Sequence, residues 1–155
     1  MEQIIGYVNV WKDVNLEMND RLLLVKGEDI IKSTGIVFFY KKGISNMNDK
    51  EYLEAQKYFL YALSYSKGNY LNEHIIYMLA VSYKSMSDFK NALKYYELNL
   101  KQYPSGTYTE EVLYNLILIN KGVDINKAKS YAKKLVKQFP SSQFNNSIVK
   151  DILNY

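Results

Sequence analysis

The chain contains no cysteine, which excludes disulfides, thiol nucleophiles and thiolate-bound metals without identifying a compartment. It has one histidine, His74, and one tryptophan, Trp11. A Ser/His/Asp triad would have to be built around His74, which falls at the start of a predicted helix and reads as an exposed polar residue. The chain has no Cys/His spacing for zinc, no glycine loop that could cradle phosphate and no dinucleotide fingerprint. Glu110 and Glu111 are adjacent, but neighbours on a helix point about 100° apart, so they make a poor acid/base pair. The expectation is a protein that is not an enzyme and takes no cofactor and no metal. Two prolines and seven glycines in 155 residues argue against a loop-rich or all-β chain. No apolar run approaches the roughly 20 residues that span a bilayer. The start, Met1-Glu2-Gln3-Ile4-Ile5-Gly6, lacks the basic opening and apolar core of a signal peptide.

What remains is a hydrophobic share of 48% and a formal charge of +4, which fit one globular domain able to bury a core. Lysine supplies the basic residues almost alone, Arg21 being the exception. With abundant asparagine, this reads as the codon bias of an AT-rich, bacterial genome. Lys90, Lys94, Lys101, Lys129, Lys133, Lys134 and Lys137 form basic runs on two predicted helices. Nucleic-acid binders show denser basic faces with arginine and stacking aromatics, so a solvated face is the better reading and a nucleic-acid partner the weaker alternative.

Internal repetition is the strongest signal. Ala55, Ala92 and Ala128 recur at intervals of 37 and 36 residues, Pro104 and Pro140 at 36, and Tyr77-Met78-Leu79 and Tyr114-Asn115-Leu116 at 37. A fixed period in this range means stacked units that cannot bury their apolar faces alone. Within a period the spacing is helical: Ala92, Leu93, Tyr96 and Leu100 fall on one stripe. Thr109 is positioned as an N-cap with Glu110 and Glu111 in the first turn, Tyr108 before it and Leu113 at the staple position. Leu71, Asn72 and Ile76, and again Phe144, Asn145 and Val149, repeat the arrangement.

The middle unit resembles the tetratricopeptide repeat without a gap. Ile76, Leu79, Ala80 and Tyr83 stand where its first helix carries Trp, Leu, Gly and Tyr. Ala92, Tyr96 and Pro104 stand at its Ala, Phe and Pro positions, and Asn99 departs from the small residue usual there. The first unit keeps Phe39, Gly43, Tyr52, Ala55, Phe59 and Ala62. The third keeps Leu113, Leu116, Ala128 and Pro140, with a turn that reads one residue short. The resemblance implies an all-α, right-handed superhelical stack of three helix pairs, at about 36–71, 72–108 and 109–143, with a closing helix over 145–154. Gly43, Ala55, Phe59, Leu79, Ala80, Tyr83, Ala92, Tyr96, Pro104, Ala128 and Pro140 are the expected repeat-packing residues.

The runs Tyr103-Pro104-Ser105-Gly106-Thr107-Tyr108 and Phe139-Pro140-Ser141-Ser142-Gln143-Phe144 lengthen the unit. In this it resembles tetratricopeptide domains of bacterial cell-envelope proteins, such as the Tol–Pal accessory protein and the lipoprotein that assists outer-membrane assembly. That implies scaffolding work at an envelope, a free-standing cytoplasmic adaptor being the alternative. Residues 1–35 fit the repeat poorly and read as an extension or the remnant of a preceding domain. Ile5, Tyr7, Asn9 and Trp11 alternate with Ile4, Gly6, Val8 and Val10 in a strand-like pattern, with Trp11 near a junction. Residues 20–33 read as a covering helix or another strand pair, Gly27 counting against the helix. Phe38, Phe39 and the stretch before them leave self-association open.

In this repeat type the first helix of each unit lines a concave groove. Its fifth position gives Tyr40, Tyr77 and Tyr114, and its ninth gives Ile44, Val81 and Leu118. The expectation is a tyrosine row with hydroxyls free for a partner, beside an aliphatic row, receiving an apolar helix or extended segment of another protein. The competing reading is that the tyrosines pack between helices. As groove residues they should be less buried than Ala80, Tyr83 and Ala92, and Tyr77 should be replaceable without unfolding. The lysine and asparagine clamp that some members use for acidic tails is missing at these positions.

Overall fold

A computed structural model describes the backbone of residues 28–154 and the side chains from Thr34. The described residues form seven helices and no strand: α1 (Glu28–Asn48), α2 (Tyr52–Tyr65), α3 (Asn72–Ser85), α4 (Phe89–Gln102), α5 (Thr109–Asn120), α6 (Ile125–Gln138) and α7 (Ser147–Asn154). Each helix packs on its neighbours in sequence, most extensively within the pairs α1–α2, α3–α4 and α5–α6. This is the expected all-α stack of three helix pairs and a closing helix, in which the extensive contacts join helices adjacent in sequence. The strand pattern over 4–11 and the junction at Trp11 lie outside the described residues, as does the start of the 20–33 segment. From Glu28 onward that segment is helical and runs unbroken through residue 36 into the first unit.

The second helices of the second and third units start on aspartate caps, whereas Glu51 before α2 makes no side-chain cap. The Asp88 carboxylate accepts the backbone N–H of Asn91 at 3.1 Å, and Asp124 accepts those of Asn126 and Lys127, both at 3.1 Å. Each cap satisfies amide donors that have no partner within the helix. Ser87, at φ 60°, takes the left-handed conformation that turns α3 into α4.

The first helices of the second and third units begin differently from the expectation. Neither Asn72 nor Thr109 caps a helix; both lie inside their helices, whose flanking residues Leu71 and Tyr108 make no side-chain cap. Two successive backbone turns precede each of these starts instead, Ser66–Asn69–Asn72 and Tyr103–Gly106–Thr109, and a third such run, Phe139–Ser142–Asn145, precedes α7, each closed by N–H to carbonyl bonds three residues apart. The last residue of each run then bonds six residues back. Ser66 Oγ donates to Asn72 Oδ1 (2.6 Å), Thr109 Oγ1 donates to the Tyr103 carbonyl (2.8 Å), and Asn145 Nδ2 donates to the Phe139 carbonyl (2.9 Å). The recurring polar residue is therefore a clasp on the inter-unit turn. The cap of α7 is Asn146, whose Oδ1 accepts from Ile148 and Val149 (3.1 and 3.4 Å), so the closing helix begins at Ser147 and not at 145.

Small residues set the helix–helix approach. Ala55, Ala80, Ala92 and Ala128 are wholly buried, as are Phe59, Leu79 and Tyr96. A Cβ on Gly43 would lie 2.5 Å from the Phe59 ring, so only glycine allows α1 and α2 this close. Asn99, also wholly buried, donates from Nδ2 to the Glu73 carbonyl at 2.9 Å and ties α4 to the first turn of α3.

Three expectations need correction. Pro104 and Pro140 are exposed; they follow the terminal residues Tyr103 and Phe139 and stop α4 and α6, contributing by ending helices and not by packing. Tyr83 is only half-buried and stacks on Tyr95 at 5.5 Å and 5°. The shortness of the third unit lies in its first helix, since α5 has 12 residues where α3 has 14; the turn after it, 121–124, is longer than the 86–88 turn.

Candidate functional site: the groove between first helices

The three tyrosines at equivalent positions meet the start of the next unit. Tyr108 stacks on Tyr77 at 4.5 Å and 11°, and Phe144 stacks on Tyr114 at 4.7 Å and 26°. At the first junction His74 takes this part, 5.1 Å from the Tyr40 ring, and stacks in turn on Tyr108 at 4.9 Å. The hydroxyls are spoken for as well. Tyr40 Oη and His74 Nδ1 are 2.8 Å apart, the hydroxyl donating when the imidazole is neutral with its proton on Nε2. The Tyr77 hydroxyl faces the Glu111 carboxylate, and Tyr114 Oη accepts from Asn146 Nδ2 at 3.0 Å. Each tyrosine is thus a strut between successive units, held by a first-turn or cap residue of the next one.

Two expectations change here. The hydroxyls are not free for a partner, and Tyr77 is only 8% exposed, more deeply placed than Tyr83. Tyr40 and Tyr114 stay half-buried. The reading that these tyrosines pack between helices therefore holds for Tyr77. Burial, followed by the bond to Glu111, pushes its hydroxyl pKa far above the ordinary tyrosine range. His74 is likewise not an exposed polar residue: it is half-buried among Tyr40, Tyr77 and Tyr108, and burial lowers its pKa against the opposing pull of Glu73. Glu73 makes a further tie, its carboxylate accepting the Tyr108 N–H at 3.0 Å.

Between α3 and α5 the stack leaves an open groove of about 310 Å³. Tyr77, Val81, Tyr114 and Leu118, four of the six residues expected there, line it together with Phe144. Tyr40 and Ile44 do not; they pack half-buried against the core in the first unit. The polar lining includes Lys84, Ser85, Glu111 and Asn115, with Lys84 Nζ donating to Asn115 Oδ1 at 2.5 Å. At the groove's inner wall the wholly buried Tyr96 has a hydroxyl without a hydrogen-bond partner. Lys84 and Glu111 escaped the reading of the sequence, although the signal was available: Lys84 is seven residues after Tyr77 and Glu111 three before Tyr114, each on the same helical face as its tyrosine.

Among the described residues no group of three or more His, Asp or Glu side chains could hold a metal ion, and no helix is long and apolar enough to cross a membrane.

Residues 75–106, which span most of α3, all of α4 and the stop at Pro104, match the family model described as Tetratricopeptide repeat. This segment is similar to a tetratricopeptide repeat. The helix pairs on either side of it repeat its packing, so an all-helical stack of the same kind continues on both sides of the matched segment. No curated protein matches the chain. Tetratricopeptide repeats generally mediate protein–protein interaction, and the all-helical repeat fold is typically a non-enzymatic scaffold.

Proposed function

We propose that the domain is a scaffold that holds an apolar helix or extended segment of another protein in the groove between α3 and α5. The observation that carries this is the lining itself. Val81 and Leu118 keep part of their surface open beside the faces of Tyr114 and Phe144, and such a concave, largely apolar surface favours insertion of an apolar anchor. Because the tyrosine hydroxyls are engaged within the stack, recognition rests on apolar area and shape, with Glu111 and Lys84 setting the polar ends.

Peptides selected by display against the full chain provide the test, with affinities measured by calorimetry. Leu118→Ala should weaken binding by about 2 kcal/mol, roughly 30-fold, the scale of a central anchor. Lys133→Glu/Lys137→Glu should leave it unchanged. Intact binding in Leu118→Ala, with loss in the lysine variant, would move the site away from the groove.

We further propose that the scaffold works within a bacterial cell-envelope assembly. The lengthened turns at 103–108 and 139–144 support this, since they resemble those of envelope tetratricopeptide domains. Fractionation of the native host that finds the protein only in the cytosol would turn the reading to a free-standing cytoplasmic adaptor.

A further inference from the structure

The second helices carry a charge pattern that the groove does not use. α4 contributes Lys90, Lys94 and Lys101, and α6 contributes Lys127, Lys129, Lys133, Lys134 and Lys137. All of these are exposed except Lys129, which is half-buried. Against these eight lysines the two helices hold one carboxylate, Glu97, and it already accepts a hydrogen bond from the Tyr131 hydroxyl at 3.0 Å. None of the eight is in an ion pair; among the described residues the ion pair is Lys57 with Glu54.

On α6 the five lysines spread over roughly half the helix circumference, opposite the buried Ala128, Ala132 and Leu135. Val136, 37% exposed, stands at the edge of that arc. The first helices of the same units carry the reverse balance, with Glu73, Glu110 and Glu111 against Lys84. Charge is therefore sorted by helix, groove side from outer side. Lys129, Lys133 and Lys137 follow one another at intervals of four residues, a spacing at which like charges destabilise a helix. A neutralising partner would relieve that repulsion.

We propose that the outer face of α4 and α6 docks on an anionic lipid surface. Lysine presents a compact point charge on a flexible stem, without the rigid fork by which arginine reads one phosphate or carboxylate. A layer of many equivalent headgroup phosphates suits such a face, because each ammonium finds a partner without a fixed geometry. The long stems keep their apolar part against the helices while the charge reaches outward. A nucleic acid is the poorer match, since single strands stack bases on exposed aromatics. Here Tyr95 is 8% exposed and Tyr131 is half-buried, while Phe89 stands alone at the start of α4.

The test is co-sedimentation of the full chain with phosphatidylcholine vesicles that contain or lack phosphatidylserine, at low and physiological salt. The expected result is binding that requires phosphatidylserine and weakens with salt. Lys133→Gln/Lys137→Gln should lower partitioning on the order of 30-fold with an unchanged thermal melt. Lys90→Gln/Lys94→Gln, on the other helix, should lower it similarly. Equal binding to both vesicles, or variants that bind like the parent, would overturn the proposal. So would duplex DNA or polyglutamate bound with the same lysine dependence while phosphatidylserine vesicles are not.

Discussion

Replacing Tyr77 tests whether the tyrosine row holds the stack together or only faces the groove. The ring is 8% exposed, lies against Tyr108 at 4.5 Å and nearly parallel to it, and approaches Tyr96 at 6.3 Å. Truncating a buried aromatic to alanine costs about 3–5 kcal/mol, of which a stacked pair accounts for about 0.5–1.5 kcal/mol. The interaction with the Glu111 carboxylate adds little more, because Glu111 is exposed and can be rehydrated. Tyr77→Ala should therefore cost about 3–4 kcal/mol, and Tyr77→Phe no more than about 1 kcal/mol. For a chain of this size each kcal/mol shifts the midpoint by about 2–4 °C, so the alanine variant should melt roughly 10 °C lower and the phenylalanine variant within a few degrees of the parent. Thermal unfolding followed by circular dichroism at 222 nm reads both. An alanine variant that melts with the parent would show that the Tyr77 ring is not part of the core, and would return the row to the groove alone.

Two further outcomes follow from the packing and the titration of single residues. Gly43→Ala would press a methyl group into the Phe59 ring; overpacking of this kind costs about 1–3 kcal/mol and outweighs the gain in helix propensity of about 1 kcal/mol. Gly35→Ala, where among the described residues no atom beyond the local helix lies within 4 Å of the added carbon, should raise the melting temperature, and the reverse ranking would contradict the close approach of α1 and α2. Burial lowers the His74 pKa in the folded state, so the unfolded chain binds the proton more readily. The resulting stability is fully present above the unfolded value of about 6.5 and is lost as pH falls below it. The parent's melting temperature should therefore drop between about pH 7 and 5 more than that of His74→Gln; parallel curves would remove His74 as the cause.

The sequence by itself determined the helices, their pairing and the faces they present. Periodicity places Ala55, Ala92 and Ala128 on buried stripes because 3.6 residues per turn fixes which side chains share a face. The recurrence of those stripes fixes the stack. The same arithmetic brought Tyr77, Val81, Tyr114 and Leu118 to one groove. It failed where an outcome depends on what the next unit lays over a face. Tyr77 is covered by Tyr108, from beyond the intervening helix α4. His74 is drawn inward because Tyr40 of the preceding unit meets its imidazole. Thr109 and Asn145 have the composition of caps, yet the doubled turns before them had already satisfied the local backbone and turned both side chains back by six residues. Composition and spacing specify a residue's direction from its own helix axis. Its burial and its hydrogen-bond partner are set by contacts some 30 residues away in the chain, and only the tertiary stacking decided those.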